Sequence, residues 1–197
     1  MKVENGKLKV EIWVKAKGQK LKPISLISSP MRIGLLSDTH GHLDDSVFGY
    51  FDKCEEIWHA GDIGTIEVLQ RLETFRPIRA VFGNVDGHEL RAATPEYQIF
   101  SVEGVKVVMT HIGGKPPQYT PQVRTVLTRE YPRLFICGHS HILKVEQDKF
   151  RKMLCMNPGA AGKHGFHKVK TLLRFDISDA RIHNLEVVEL GLRASLK

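Results

Sequence analysis

From Met31 onward, short apolar runs alternate with polar segments bounded by glycine. Arg32–Leu36, closed by Ser37-Asp38, reads as a buried strand. Glu56–His59, closed by Ala60-Gly61, reads as a second, and Ile78–Phe82, closed by Gly83-Asn84, as a third. Between them Val47, Phe48, Tyr50 and Phe51, then Ile66, Val68, Leu69 and Leu72, recur at helical spacing. This βαβαβ order predicts parallel strands with crossover helices. Tyr97–Val102 and Val105–Thr110 flank Glu103-Gly104 as an antiparallel hairpin. Pro121 opens a helix running to Tyr131. Leu134–Cys137 is another buried strand. Lys144–Gln147, Met153–Met156, Val169–Ile177 and Arg181–Val188 are strand-like, so the second half reads as hairpin-rich.

Upstream, Leu8, Val10, Ile12 and Val14 alternate with Lys9, Glu11, Trp13 and Lys15, the two-residue period of a half-buried strand. Gly18 and Pro23 punctuate the stretch after it, and Ser28-Ser29-Pro30 reads as a linker. The expected division is an N-terminal extension over 1–30, an accessory strand or upstream segment, and one domain over 31–197. The extension is basic but has no apolar core of a signal peptide.

Charge changes the picture only after it is divided. The 197 residues carry a formal +7, of which 1–30 holds +5: seven lysines against two glutamates. The remainder carries +2, which does not support a nucleic-acid partner. The 42% hydrophobic and 26% charged content is that of a globular domain. No apolar run approaches the roughly 18 residues of a membrane span. Three cysteines do not make a disulfide framework and point to a reducing, cytoplasmic setting. An unpaired edge on the strand at 8–14 would let a second copy pair there, so a homo-oligomer is compatible with the pattern.

The chemistry gathers where strands end. The first ends in Ser37-Asp38-Thr39-His40-Gly41, the second in Ala60-Gly61-Asp62, and the third in Gly83-Asn84-Val85-Asp86. The hairpin ends in Thr110-His111, and the strand at 134–137 in Gly138-His139-Ser140-His141. C-terminal strand ends of a parallel sheet share one edge, where α/β folds carry their sites. Asp38, His40, Asp62, Asn84, His111, His139 and His141 are hard or borderline ligands with no thiolate among them. Seven exceed what one four-coordinate ion uses and suit two ions about 3.5–4 Å apart.

Asp-x-His, Gly-Asp, Gly-Asn-x-Asp, a lone His and Gly-His-x-His, in that order, resemble the calcineurin-like metallophosphoesterases, over about residues 31–188. Gly-Asn-Val-Asp and the later Asn157-Pro158-Gly159 are similar to the small bacterial and archaeal phosphodiesterase branch. The resemblance implies an α/β fold, a four-layer α-β-β-α sandwich with mixed sheets. It implies that Asp38, His40 and His141 hold one divalent ion, that Asn84, His111 and His139 hold a second, and that Asp62 bridges them. Manganese is the expected metal, with iron, zinc, cobalt and nickel compatible. A hydroxide held between the ions would attack phosphorus in line with the leaving oxygen. Asp62, Asn84, His111 and Asp86 are the expected catalytic set, Asp86 by holding a loop or a ligand.

Many family members carry His where this chain has Val85, and that His assists the leaving group. Its absence predicts a preference for good leaving groups, or an acid from elsewhere. His42 and His88 are the nearest candidates by sequence and the expected substrate contacts. His59 reads as packed at its strand end, and His164 and His167 as solvated in a loop containing Gly and Lys. The expected function is a phosphodiesterase acting on a small phosphate ester. The alternatives are a phosphomonoesterase, and a protein-interaction scaffold of the same fold, which has no need of a complete ligand set.

Overall fold

The computed structural model describes residues 30–193 in full, and upstream of them the backbone of four short strands. β1 (Lys2–Glu4) pairs antiparallel with β2 (Lys7–Lys9), and β3 (Glu11–Val14) with β4 (Lys22–Ser25). The expected strand at 8–14 is therefore shared between two hairpins. Val10 and the side-chain burial of that segment lie outside the described residues.

The site is built by β5 (Met31–Leu36), α1 (Ser46–Tyr50), β6 (Glu56–His59), α2 (Ile66–Phe75), β7 (Ile78–Ala80) and α3 (His88–Ala93). Next come β8 (Tyr97–Val102), β9 (Val105–Thr110), β10 (Gly114–Lys115), β11 (Gln118–Tyr119), α4 (Pro121–Glu130) and β12 (Leu134–Ile136). β13 (Leu143–Asp148), β14 (Met153–Pro158), β15 (Val169–Ser178) and β16 (Arg181–Leu192) complete the fold.

Two five-stranded mixed sheets result, ordered β16-β15-β5-β6-β7 and β13-β14-β12-β9-β8. In the first, β5, β6 and β7 run parallel, with Leu36 opposite His59 and His59 opposite Ala80. In the second, β9, β12 and β14 run parallel, with Ile136 between Met109 and Met156. The second half is hairpin-rich, as expected: β8 with β9, β10 with β11, β13 with β14 and β15 with β16 pair antiparallel. The longer-range pairings join these hairpins, and β15 leaves to pair antiparallel with β5 of the first sheet. Hairpin patterning is local, whereas the partner of a strand is chosen by which apolar face remains to be covered.

The apolar runs are buried on both faces, and their two-residue period sorts them into layers. Ile33, Leu35, Trp58 and Phe175 of the first sheet meet Val107, Met109, Leu134 and Ile136 of the second. The alternate residues Leu36, Ile57 and Leu172 face outward against Val47, Leu69, Leu72 and Leu90 of the helical side. Val108, Phe135 and Cys155 of the second sheet face Val123 and Leu127 of α4. The order is helices, sheet, sheet, helix, as expected. Thr120 caps α4 by accepting from the Val123 N–H at 3.3 Å, and Pro121 opens its first turn.

Candidate metal centre

Beyond the ends of β5 and β6 the parallel ladder continues as loop-to-loop hydrogen bonds. The N–H groups of Asp38, His40 and Gly41 donate to the carbonyls of Gly61, Asp62 and Ile63 at 2.8–2.9 Å. Gly138 N–H donates to the carbonyl of His111 at 3.0 Å, and His139 N–H to Asp38 Oδ2 at 3.1 Å. Segments from both sheets are thereby fixed against one another. Asp38, His40, Asp62, His139 and His141 all hold left-handed backbone, with φ between 47° and 69°. Such conformations cost of the order of 1 kcal/mol or more each for a residue with a Cβ, and cluster where function over-determines them.

Two constellations form, Asp38 with His40 and His141, and Asp62 with His111 and His139, each with its donor atoms within 4.8 Å of one another. His141 Nε2 lies 3.2 Å from Asp38 Oδ1, His40 Nε2 lies 3.2 Å from His141 Nε2, and His111 Nε2 lies 3.2 Å from Asp62 Oδ2. Asp62 Oδ2 also sits 3.8 Å from His40 Nε2, so this one oxygen faces both groups. Its other oxygen accepts from Val85 N–H at 3.0 Å. Asn84 is exposed and lines the same groove as His40, Asp62, His139 and His141.

The donor set fits divalent ions on an independent observation. Asp38 Oδ1 and His111 Nε2 are buried without a hydrogen-bond partner, which is costly unless something else completes them. Their neighbours stand at 3.2 Å, close to the roughly 3.3 Å that separates two donors each about 2.0 Å from one tetrahedral ion. The tautomer is fixed as well: His111 Nδ1–H donates to the Ala60 carbonyl at 2.8 Å, which leaves the Nε2 lone pair aimed at Asp62. Burial opposes a charged His111, but the nearness of Asp62, whose Oδ2 is 3.2 Å from Nε2, and the charge of Asp38 outweigh it and raise its pKa. Burial likewise opposes the Asp62 charge, and His111 overrides it and lowers that pKa. A cation at this place would compete with a proton for Nε2.

The supporting residues act through the loops. Asp86 is buried, and its carboxylate accepts from Ile63 N–H at 3.1 Å and from Gly64 and Gly83 N–H at 2.7 Å. It ties the Asp62 loop to the Asn84 loop and does not line the groove. Arg91 of α3 donates to the carbonyls of Asp86 at 2.7 Å and Gly83 at 3.0 Å, holding the same loop from the other side. Asn157, buried at the end of β14, donates to Gly138 O at 2.7 Å and Ser140 Oγ at 3.1 Å. It is a positioning residue for the loop carrying His139 and His141. Asn157→Ala is expected to weaken metal binding about 10- to 100-fold with the fold retained, as read by titrating metal into stripped protein.

Gly61 is required by space. Its φ is +91°, and a Cβ there would lie 2.6 Å from the Cβ and Nδ1 of His111. Gly61→Ala is therefore expected to displace His111 and lower the metal content of the purified protein, as measured by elemental analysis.

His42 and His88 do not line the groove. His88 is exposed at the start of α3, and His42 is half-buried beside the charges of Lys163, Lys170 and Asp44. Besides the named ligands, two further imidazoles line it that sequence reasoning passed over as site residues, His164 and His167. The His164 ring is 4.9 Å from that of His40, and the His167 ring is 5.3 Å from that of His141. His164 is exposed, as a solvated residue should be, yet it stands over the site. His167 is half-buried and its Nε2–H donates to the Gly162 carbonyl at 3.0 Å, so its solvated reading is corrected. Their flanking by Gly162 and Gly165, just downstream of Asn157-Pro158-Gly159, is the one signal that pointed there.

Carboxylates and imidazoles paired across two stacked sheets, at the C-terminal ends of parallel strands, define a metal-binding α/β sandwich. Residues 31–180 match the family model described as the calcineurin-like phosphoesterase superfamily domain, and the chain belongs to that superfamily. It is 33% identical over 135 residues to a probable metallophosphoesterase of Methanothermobacter thermautotrophicus, covering 66% of this chain and 77% of that protein. Its fold is similar to that of a novel archaeal phosphodiesterase, with a TM-score of 0.64, 22% identity, and 80% of this chain and 100% of that one covered. It is also similar to Vps29 of Entamoeba histolytica complexed with Zn²⁺, with a TM-score of 0.60, 16% identity, and 82% and 99% covered. The superfamily is metal-dependent, and membership supports a phosphoester hydrolase. Among the described residues, no helix is long and apolar enough to cross a membrane.

Proposed function

We propose that the chain is a dinuclear metal-dependent phosphodiesterase acting on a small phosphate ester, with its catalytic unit in 31–197 and 1–30 as an accessory segment. The observation that carries this reading is Asp62 Oδ2, placed 3.8 Å from His40 Nε2 and 3.2 Å from His111 Nε2 and so between the two donor groups. Asp38, His40 and His141 would hold one ion, Asn84, His111 and His139 the other, and Asp62 both. Manganese is the metal proposed, on a donor set of imidazole, carboxylate and amide that also accepts other divalent ions. When bound, such a pair supplies an acidified water as nucleophile and neutralises charge on the phosphoryl oxygens.

The chain's own residues do the rest. Asp38 and Asp62 bring negative charge that attracts the cations. His111, with its Nδ1 proton committed to Ala60, offers a fixed lone pair at Nε2. The open groove of about 520 Å³, lined by Asn84, Val85, Ile142, His164 and Phe166, leaves room for the ester beyond the donors. Val85 contributes no proton, which favours substrates with good leaving groups.

A scaffold reading has one observation behind it, the likeness in fold to Vps29. That neighbour is itself complexed with zinc, so metal binding alone does not separate the two readings. Turnover does. Metal-stripped protein resupplied with Mn²⁺ is expected to cleave bis(p-nitrophenyl) phosphate faster than p-nitrophenyl phosphate. Faster cleavage of the monoester would overturn the diesterase assignment. No turnover of either by protein holding two metals would favour the scaffold.

A further inference from the structure

A second cavity, of about 440 Å³, opens beside the metal groove and shares His139, Ser140 and Ile142 with it as a common wall. Its volume falls in the range of small-molecule sites. It lies on the outer face of the second sheet. Phe135, Cys137 and Cys155 line it as an apolar floor, and the segment from Gly113 to Pro116 lines it as well. Gly113 and Gly114 place backbone where side chains would intrude: a Cβ on Gly113 would stand 2.6 Å from the Phe135 ring.

The floor offers a ring nothing to hydrogen-bond. Asn157 spends its amide on Gly138, Ser140 and the Gly159 N–H. Burial pushes the Cys155 thiol up to about 11, so it stays neutral, and Cys137 is a buried free thiol in the same apolar cluster. Thiols against an aromatic face are a favourable surface for a second ring. Of the lysines lining the cavity, Lys144 pairs with Glu146 at 2.7 Å, and Lys115 is exposed.

We infer that this cavity is the subsite for one ester group of the substrate, an aromatic or heteroaromatic ring, so that the substrate class is aryl-type phosphodiesters. This rests on the dinuclear reading, because His139 is both a ligand in that reading and the wall between the two spaces. A phosphate seated at the donors would send one ester arm over Ser140 and Ile142 into the cavity.

The test uses non-hydrolysable anchors. Phenylphosphonate and methylphosphonate are titrated into the full chain loaded with Zn²⁺, with calorimetry and amide NMR as readouts. Phenylphosphonate is expected to bind of the order of 10- to 100-fold more tightly, the gain from burying one ring. The Gly113 and Gly114 amide signals are expected to move with the phenyl compound alone. Cys155→Phe, which fills the floor, is expected to bring the two affinities together while leaving methylphosphonate unchanged. If that variant fails to fold, the two glycine signals decide the matter in the native chain. Equal affinities with those signals unmoved would overturn the subsite while leaving the metal reading standing. Failure of both phosphonates to bind in a metal-dependent way would overturn the dinuclear reading, and the subsite with it.

Discussion

Asp62→Asn is expected to lower metal-dependent diester cleavage about 1,000-fold or more, a loss of about 4 kcal/mol of transition-state stabilisation. The substitution keeps a side chain of the same shape. Its amide oxygen can still accept from Val85 N–H, so the loop at 83–86 stays attached. What disappears is the charge at the Oδ2 position facing His40 and His111. Without it, two cations would have to sit near each other with no carboxylate between them. Metal content is expected to fall in parallel, to one ion or fewer per chain. Asp62→Ala would lose the Val85 anchor too, so the asparagine variant is the cleaner comparison. Cleavage within tenfold of the native rate would show that Asp62 is not the bridge.

Acidification is expected to destabilise the metal-stripped protein through His59. This residue is fully buried at the end of β6. Its Nδ1 accepts from Gly61 N–H at 3.2 Å, and its Nε2 lies 2.9 Å from Thr39 Oγ1. The Thr39 hydroxyl donates to the Ile63 carbonyl at 2.9 Å, so Nε2 carries the proton and the ring is neutral. Burial pushes its pKa down to about 4 from an ordinary 6.5. The unfolded chain therefore binds a proton between those values that the folded chain refuses. Stability from this group is complete above about pH 6.5 and is lost as the pH falls toward 4, an effect of roughly 3 kcal/mol. Urea midpoints from pH 7.5 to 4.5, for the native chain and His59→Gln, would measure it. A pH dependence identical in the two proteins would sink the assignment.

Much of this architecture was legible along the chain. β5 is an apolar run closed by Ser37-Asp38, and β6 and β12 are apolar runs closed by a glycine and a polar residue, so both their length and their chemical ends are written locally. Inside those runs successive side chains point to opposite faces, sending Leu35 between the sheets and Leu36 to the helices. The donor motifs were legible for the same reason: each follows a strand immediately, and the C-terminal ends of parallel strands share an edge. Asn157 was harder to place. Asn-Pro-Gly reads as a turn, and only the approach of β14 to β12 brings its amide to Gly138.

Neighbours within a few positions were enough to specify the strands of the two large sheets, the helices α1, α2 and α4, and the residues that close the donor-bearing strands, while the short pair β10–β11 and helix α3 were not read from them. Folding of the whole chain was needed to choose that β15 returns to β5, that β14 lies parallel to β12, and that a loop at 162–167 stands over the donors. It was needed, too, to bring His40 and His141, 101 positions apart, within 3.2 Å. The physical reason is that apolar periodicity states that a face must be covered without stating by what. The covering partner is selected when both sheets and all the helices bury their faces together, and the donor geometry is set by that selection.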